Sequence, residues 1–442
     1  MQKNPIIPEA TNQSNASADP SAPNQFYRWE LLGFLVLAFF FHQGDRAIFG
    51  VVLPAIKSDL QLTDAQLGLV GSVLFFALAV LMPLTGYFGD NWSRKWIITI
   101  SVTFWSLATM LTGLARGLTG LILFRSVATA GGESFYAPAA YSLLAQFHKK
   151  TRSLALSIHQ CALYVGVMVS GFLGGYIAEQ WGWRATFYIF GGCGVLLGII
   201  LAFRLKNSPR DLPTQLGSSD QKVTLLEAFT ALFRTPTALF LTTGFTAIVF
   251  VNNAYVVWAP SFVQEKFNLS LTAAGGGAML YHHLAALVGV LIGGKISDTM
   301  ILSRRQFRLE LQAAAMLIGV PTIVWMGLTD SLMSTWIAMA CMGLCRGMYE
   351  SNTQASLFDV IAPRYRASAI AMMTMVAFLF GSTSPWLLGC CCEWFPDGSG
   401  LSYGFASLSL VYLIGGLAVL IGLKTTFRHD LKEDILKTSD SQ

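Results

Sequence analysis

The chain has 442 residues, 54% of them hydrophobic and 12% charged, with a mean hydropathy of +0.55. A soluble globular chain carries about 25% charged residues, so this composition excludes a soluble protein with one large core. The formal net charge of +5 is spread over cytoplasmic turns and needs no nucleic-acid partner to explain it.

Apolar runs of about 20 residues, the length of a bilayer-spanning helix, recur along the whole chain. They are continuous rather than alternating in segments of about 10, which excludes a membrane barrel. Residues 1–27 are rich in Asn, Ser, Ala and Pro and contain no apolar core, so they read as a disordered tail rather than a signal peptide. Spans are predicted at 28–53, 66–88, 96–115, 120–147, 153–178 and 183–203. A hydrophilic linker at 204–235 follows. A second set is predicted at 236–262, 272–297, 309–328, 332–361, 367–389 and 404–426, ending in a tail at 427–442. With both termini inside, 22 of the 29 Lys and Arg residues face the cytoplasm and only Lys57, Arg116, Arg184 and Lys266 face outward. That asymmetry is the positive-inside pattern, and it predicts a multi-pass protein of the cell inner (plasma) membrane with cytoplasmic termini.

The first span holds two adjacent charges, Asp45 and Arg46. A charge at bilayer depth costs roughly 2.5–3.5 kcal/mol on insertion scales, so an intramembrane ionisable pair is a functional candidate by default. Between spans 2 and 3 stands Gly86-Tyr-Phe-Gly-Asp90-Asn-Trp-Ser-Arg94-Lys95. Between spans 8 and 9 stands Gly294-Lys-Ile-Ser-Asp298, followed by Arg304 and Arg305, 208 residues later. A second pair of basic turns, ending at Arg152 and Arg366, repeats at an offset of 214. Repeats in the same order predict two parallel halves, with a solute site at the midplane between them.

The segment from Gly86 to Lys95 resembles the cytoplasmic loop motif of the major facilitator superfamily, with Asn91 where that motif usually has Arg and Ser93 where it has a second Gly. Trp181-Gly-Trp-Arg184 resembles the usual start of its span 6. The resemblance runs over about residues 28–426 and implies an all-α integral membrane fold: 12 transmembrane helices in two six-helix pseudo-symmetric bundles. It implies an alternating-access transporter, not an enzyme, with no cofactor or metal. Gly86, Asp90, Arg94, Lys95, Asp298, Arg304, Arg305 and Asp359 would form the gating latches, Asp359 together with the turn Arg364-Tyr-Arg366.

Span 4 carries Arg125 and, in Gly131-Gly-Glu133-Ser-Phe-Tyr-Ala-Pro138, a carboxylate. With Asp45-Arg46 these resemble the anion:cation symporters (sugar-acid and sialin-like carriers) and also the spinster-type lipid carriers. The first resemblance implies arginines for an anion and carboxylates for a proton; the spinster-type carriers share a related residue pattern. In both groups the Arg precedes the Glu by seven residues. Here the gap is eight, which on a regular helix turns Arg125 about 80° from Glu133 and about 12 Å along the axis, so the two are expected to address different partners. Glu133 is the first candidate for proton coupling and Asp45 the second, because a desolvated carboxylate that loses an arginine partner favours its protonated form. The other reading of each charged pair is structural, since buried pairs often only satisfy each other. Arg46 and Arg125 are the candidate anion ligands.

Further polar candidates line up in the later spans. Gln160 and Tyr164 are one turn apart on span 5, where sugar-acid carriers place a Gln for hydroxyl recognition; helix–helix hydrogen bonding is the alternative. His159 reads as a packed histidine, with a proton relay as the alternative. Asn252, Asn253 and Tyr255 on span 7 and Ser384 on span 11 suit a hydroxylated solute. Arg346 and Glu350, four apart on span 10, can pair on one face, followed by Asn352. His282 and His283 on span 8 are adjacent and so do not share a face, which speaks against a metal pair. Cys390-Cys391-Cys392 lacks an accompanying His or Cys pair for metal. The expectation is therefore a monomeric, proton-coupled symporter of a small organic anion of the sugar-acid, hexuronate or sialate kind. A spinster-type lysolipid carrier and a proton-driven efflux antiporter are the alternatives. The antiporter is disfavoured because Gly171-Phe-Leu-Gly174-Gly175 lacks that group's proline.

Overall fold

The computed structural model describes residues 25–148, 151–206, 225–301, 303–395 and 398–431. Most of the expected N-terminal tail, linker and C-terminal tail lies outside them. All regular structure among the described residues is helical, because a bilayer offers no water to backbone N–H and C=O groups and a helix satisfies them within one segment.

The first six helices are α1 (Gln25–Leu60), α2 (Asp64–Asn91), α3 (Arg94–Thr112), α4 (118–147), α5 (Arg152–Trp181) and α6 (Trp183–Arg204). The second six are α7 (Pro236–Phe267), α8 (Leu271–Met300), α9 (Phe307–Leu328), α10 (332–360), α11 (366–394) and α12 (Gly400–Thr425). Ten of these are long and apolar enough to cross a membrane by themselves. The other two, α4 and α10, carry the buried charges Arg125, Glu133 and Arg346.

Three helices depart from regularity. In α4, residues Leu121–Ala128 form a π-helical stretch, and α10 and α11 each break for two residues, at 351–352 and 382–383. The break in α11 is sealed by Ser384, whose Oγ donates to the carbonyls of Phe250 (2.6 Å) and Gly381 (3.0 Å).

The repeat is visible in the packing. Gly182, at φ 83°, turns α5 directly into α6, where Trp183 and Arg184 both reach Asp59 at the end of α1. Gln61 after α1 and Asn268 after α7 both take the left-handed conformation, at φ 51° and 50°, the usual way to stop a helix. At the end of the molecule bearing these turns the halves meet backbone to backbone. A Cβ added at Gly68 of α2 would lie 2.3 Å from the Pro385 carbonyl of α11, and one at Gly275 of α8 would lie 2.7 Å from the Gly171 carbonyl of α5. Gly389 of α11 sits equally tight on Asp64, and Gly175 of α5 on Leu271. Each junction has a carboxylate from one half on the first turn of a helix of the other. Glu179 accepts from the Thr272 N–H (2.9 Å) and hydroxyl (2.6 Å), and Glu393 accepts from the Ala65 N–H (3.3 Å).

Candidate functional site

On the other side of this contact layer, towards the end bearing the termini, a cavity of about 780 Å³ separates the two halves. Helices α1, α2, α4 and α5 face it from the first half, and α7, α8, α10 and α11 from the second. Much of its wall is apolar, including Phe39, Phe75, Leu78, Phe245, Ile248 and Phe378. Against this wall stand two ion pairs, one from each half.

In the first half, Arg46 of α1 spans from the cavity to Glu133 of α4. Its Nε and Nη2 both lie 2.8 Å from Glu133 Oε2. Glu133 Oε1 is buried and has no hydrogen-bond partner among the described residues. The carboxylate is therefore half satisfied, which is costly in a low-dielectric interior.

Directly behind this pair lies a second layer. Arg125 is 1% exposed, donates through Nη2 to the backbone carbonyl of Asp45 at 2.9 Å, and rests its guanidinium on the Phe49 ring at 5.3 Å. The Asp45 carboxylate turns away from Arg46 and accepts from the Thr109 hydroxyl of α3. Neither Asp45 nor Arg125 lines the cavity. Successive residues on a helix point about 100° apart, so adjacent charges in α1 cannot share one partner.

The eight-residue gap between Arg125 and Glu133 is absorbed by the π stretch. Its wider turns take up the one extra residue, and Thr129 Oγ1 donates to the Phe124 carbonyl five residues back at 2.9 Å. Arg125 and Glu133 thus do take different partners, as the gap suggests. Those partners are neighbours, however: the Asp45 carbonyl and the Arg46 side chain.

In the second half, Arg346 Nε donates to Glu350 Oε1 at 2.8 Å. The Tyr164 hydroxyl of the first half donates to Glu350 Oε2 at 3.3 Å, so this pair also ties the halves together. Of the expected ligands, Gln160, Asn252 and Asn253 line the cavity. Gln160 Oε1 accepts from Tyr141 at 3.0 Å, and Asn253 Nδ2 donates to the Gly381 carbonyl at 3.2 Å, bridging to the α11 break.

Besides Arg125 and Tyr164, three more expected ligands are not at the cavity wall. Tyr255 is fully buried and donates to the Ala278 carbonyl at 2.6 Å, Asn352 sits in the α10 break bonded to Ser351, and Ser384 seals α11. Each is held by backbone or by its chain neighbour: Asn352 and Ser384 sit at helix breaks, where short polar side chains bond locally, and Tyr255 reaches across to the unbroken α8. His159 packs face to face on Phe39, 4.5 Å between centroids. Residues that sequence reasoning did not place at the cavity are His42, Gln43, Tyr141, His283, Gln354 and Thr374; the α1 pair His42-Gln43, one turn before Arg46, was the available signal.

The expected latches are partly rearranged. Gly86 and Asp90 fall in the last two turns of α2, and their surroundings lie outside the described residues. Arg94 opens α3, and the Lys95 ammonium stands 5.2 Å from the Trp96 ring. Asp298 and Arg305 are exposed, and Arg304 pairs with Glu310 at 3.0 Å. Asp359 pairs not with Arg364 or Arg366 but with Arg308 at the start of α9, both carboxylate oxygens accepting at 3.0 Å. Arg366 instead donates to the Phe358 carbonyl. Arg366 folds back only as far as the Phe358 carbonyl next to Asp359, and the carboxylate itself is taken by Arg308 of α9.

The Major Facilitator Superfamily model matches residues 35–385. This chain belongs to that superfamily. Like other major facilitators it is a secondary transporter and not an enzyme. It is 26% identical over 400 residues to protein spinster homolog 1 of Xenopus tropicalis, covering 84% of this chain and 74% of that one. It is 25% identical over 425 residues to a major facilitator efflux pump of Mycolicibacterium smegmatis, covering 94% and 97%. The crystal structure of a bacterial homolog to the human lysosomal transporter Spinster, inward-facing and unoccupied, superposes with a TM-score of 0.79 at 22% identity, over 92% of this chain and 98% of that one. A D-xylose–proton symporter gives a TM-score of 0.70 at 15% identity, over 92% and 100%. These two likenesses concern the major facilitator fold, and the family's secondary-transport role agrees with a cavity set between two halves.

Proposed function

We propose that this major facilitator carries an organic anion with an apolar body and couples its movement to a proton. The observation that carries this reading is the Arg46–Glu133 pair at the cavity wall, with Glu133 Oε1 left without a partner among the described residues. An anion entering the cavity competes for the Arg46 guanidinium. Glu133 then loses its counter-charge in a desolvated place, which favours its protonated form. Anion and proton thereby load together, and by linkage each raises the affinity for the other. Arg346 on the facing wall offers the anion a second guanidinium, and Tyr164 ties its partner Glu350 to the first half. The apolar wall favours an amphiphilic anion over a bare sugar acid, and it equally suits a lysolipid with an anionic head, the second reading.

The test is uptake into vesicles of three anions: glucuronate, naphthyl phosphate and lysophosphatidate. An inward proton gradient should accelerate uptake of naphthyl phosphate or lysophosphatidate. Glu133→Gln should remove that acceleration while leaving anion exchange without a gradient. Gradient-independent uptake in the wild type overturns the proton coupling, and selective uptake of glucuronate overturns the amphiphile.

A further inference from the structure

His282 and His283 sit side by side on α8, about 100° apart around the axis. His283 faces the cavity, its Nδ1 2.9 Å from the Met279 carbonyl. His282 is fully buried and takes no part in the cavity wall, and its partners fix its chemistry. Its Nδ1 lies 3.3 Å from the Met339 carbonyl; a carbonyl can only accept, so Nδ1 carries the hydrogen. Its Nε2 lies 3.2 Å from Arg346 Nη1; a guanidinium can only donate, so Nε2 presents its lone pair. Both contacts demand the same neutral Nδ1–H tautomer. The ring stacks on Tyr255 at 4.2 Å between centroids, and the Tyr255 hydroxyl is itself tied to Ala278, so the imidazole cannot swing.

The backbone makes this contact possible. A Cβ at Gly343 would lie 2.1 Å from the His282 carbonyl, and one at Gly347 would lie 2.0 Å from the Ala286 carbonyl. Arg346 stands between these two glycines, at the tightest part of the α8–α10 seam, and is 7% exposed. Its guanidinium is gripped at Nε by Glu350 and at Nη1 by His282.

We infer that His282 is the positioning residue for Arg346, holding the guanidinium against the cavity wall in the orientation that receives the substrate's anionic group. This rests on the anion-carrier reading above. His282 touches no substrate, and its effect passes through Arg346. When an anion displaces Glu350 from Arg346, His282 is the contact that keeps the arginine in place. The second half thereby keeps a fixed anion anchor while the first half, through Glu133, handles the proton.

Two substitutions separate this role from packing. His282→Leu removes the acceptor, whereas His282→Gln keeps a side-chain oxygen able to accept from Arg346. With naphthyl phosphate as the probe, His282→Leu should raise KM about tenfold, the loss of one hydrogen bond to a charged group, with the maximal rate and the gradient dependence unchanged. His282→Gln should stay within about threefold of wild type on the same scale. A wild-type KM in His282→Leu, or equal rises in both variants with unchanged melting temperatures, overturns the inference. A second readout needs no transport at all. The ¹⁵N spectrum of histidine-labelled protein should show His282 as the neutral Nδ1–H tautomer, and an Nε2–H or doubly protonated ring overturns the inference. If the wild type moves none of the three anions, the carrier reading falls, and the tautomer still decides whether His282 accepts from Arg346.

Discussion

The Arg46–Glu133 pair is the residue-scale hinge of the account. A buried ion pair is weak evidence for stability, yet removing one partner leaves an uncompensated charge and costs about 3–5 kcal/mol. Arg46→Ala should therefore lower unfolding stability by about that much, and adding Glu133→Gln to it should restore a large part. Denaturant melts of the two single variants and the double variant check this; costs that simply add would mean that the two side chains are energetically independent. The sequence made Arg46 and Glu133 legible because charges at bilayer depth are rare. It did not make legible that Asp45 turns to Thr109, since which way a helix face points depends on the neighbours packed against it. Tyr255, Asn352 and Ser384 were misplaced for a related reason. A polar residue in an apolar span reads the same whether it faces a solute or seals a carbonyl.

At the scale of the helix, the extra residue between Arg125 and Glu133 matters most. The π stretch over Leu121–Ala128 absorbs it, and Val127 within that stretch is exposed on the outer surface. Deleting Val127 should let α4 run as a regular helix with Arg125 and Glu133 still addressing α1, and transport should survive. Inserting an alanine after Ala130, beyond the stretch, should rotate Arg125 away from Asp45 and abolish it. Uptake rates of the two variants decide; equal loss in both would mean that the π turn is required for its own sake. The gap of eight was visible in the sequence, but its accommodation was not, because a helix can widen locally at small cost. The glycine seams carry a second prediction. Gly68 packs against backbone at Pro385, which cannot yield as a flexible side chain could. Gly68→Val should force the closed end apart, and spin labels at Gln180 and Asp330 should report a longer distance than in wild type; an unchanged distance would show that the seam has slack.

Over the whole molecule, the duplication explains both what was readable and what was not. Motif offsets of 208 and 214 residues foretold two halves, and contacts in the structure recur at nearly the same offsets. Gly68 and Gly275 are separated by 207 residues, and Glu179 and Glu393 by 214. The fold was legible because membrane helices announce themselves by length and hydropathy, and the repeat by its basic turns. The reciprocal carboxylate caps were not, since Glu179 and Glu393 are exposed residues at helix ends that only the docked halves bring to Thr272 and Ala65. The two halves also differ in function on this account: one pair has a carboxylate oxygen without a partner among the described residues, the other an arginine held from two sides. That division gives the account its most direct test. Vesicles containing a pH-sensitive dye and the purified carrier are given naphthyl phosphate outside, with no imposed gradient. Anion entry should acidify the lumen in the wild type, and Glu133→Gln should show anion exchange without acidification. Acidification that persists in Glu133→Gln would contradict the central claim, because the proton would then travel by another group.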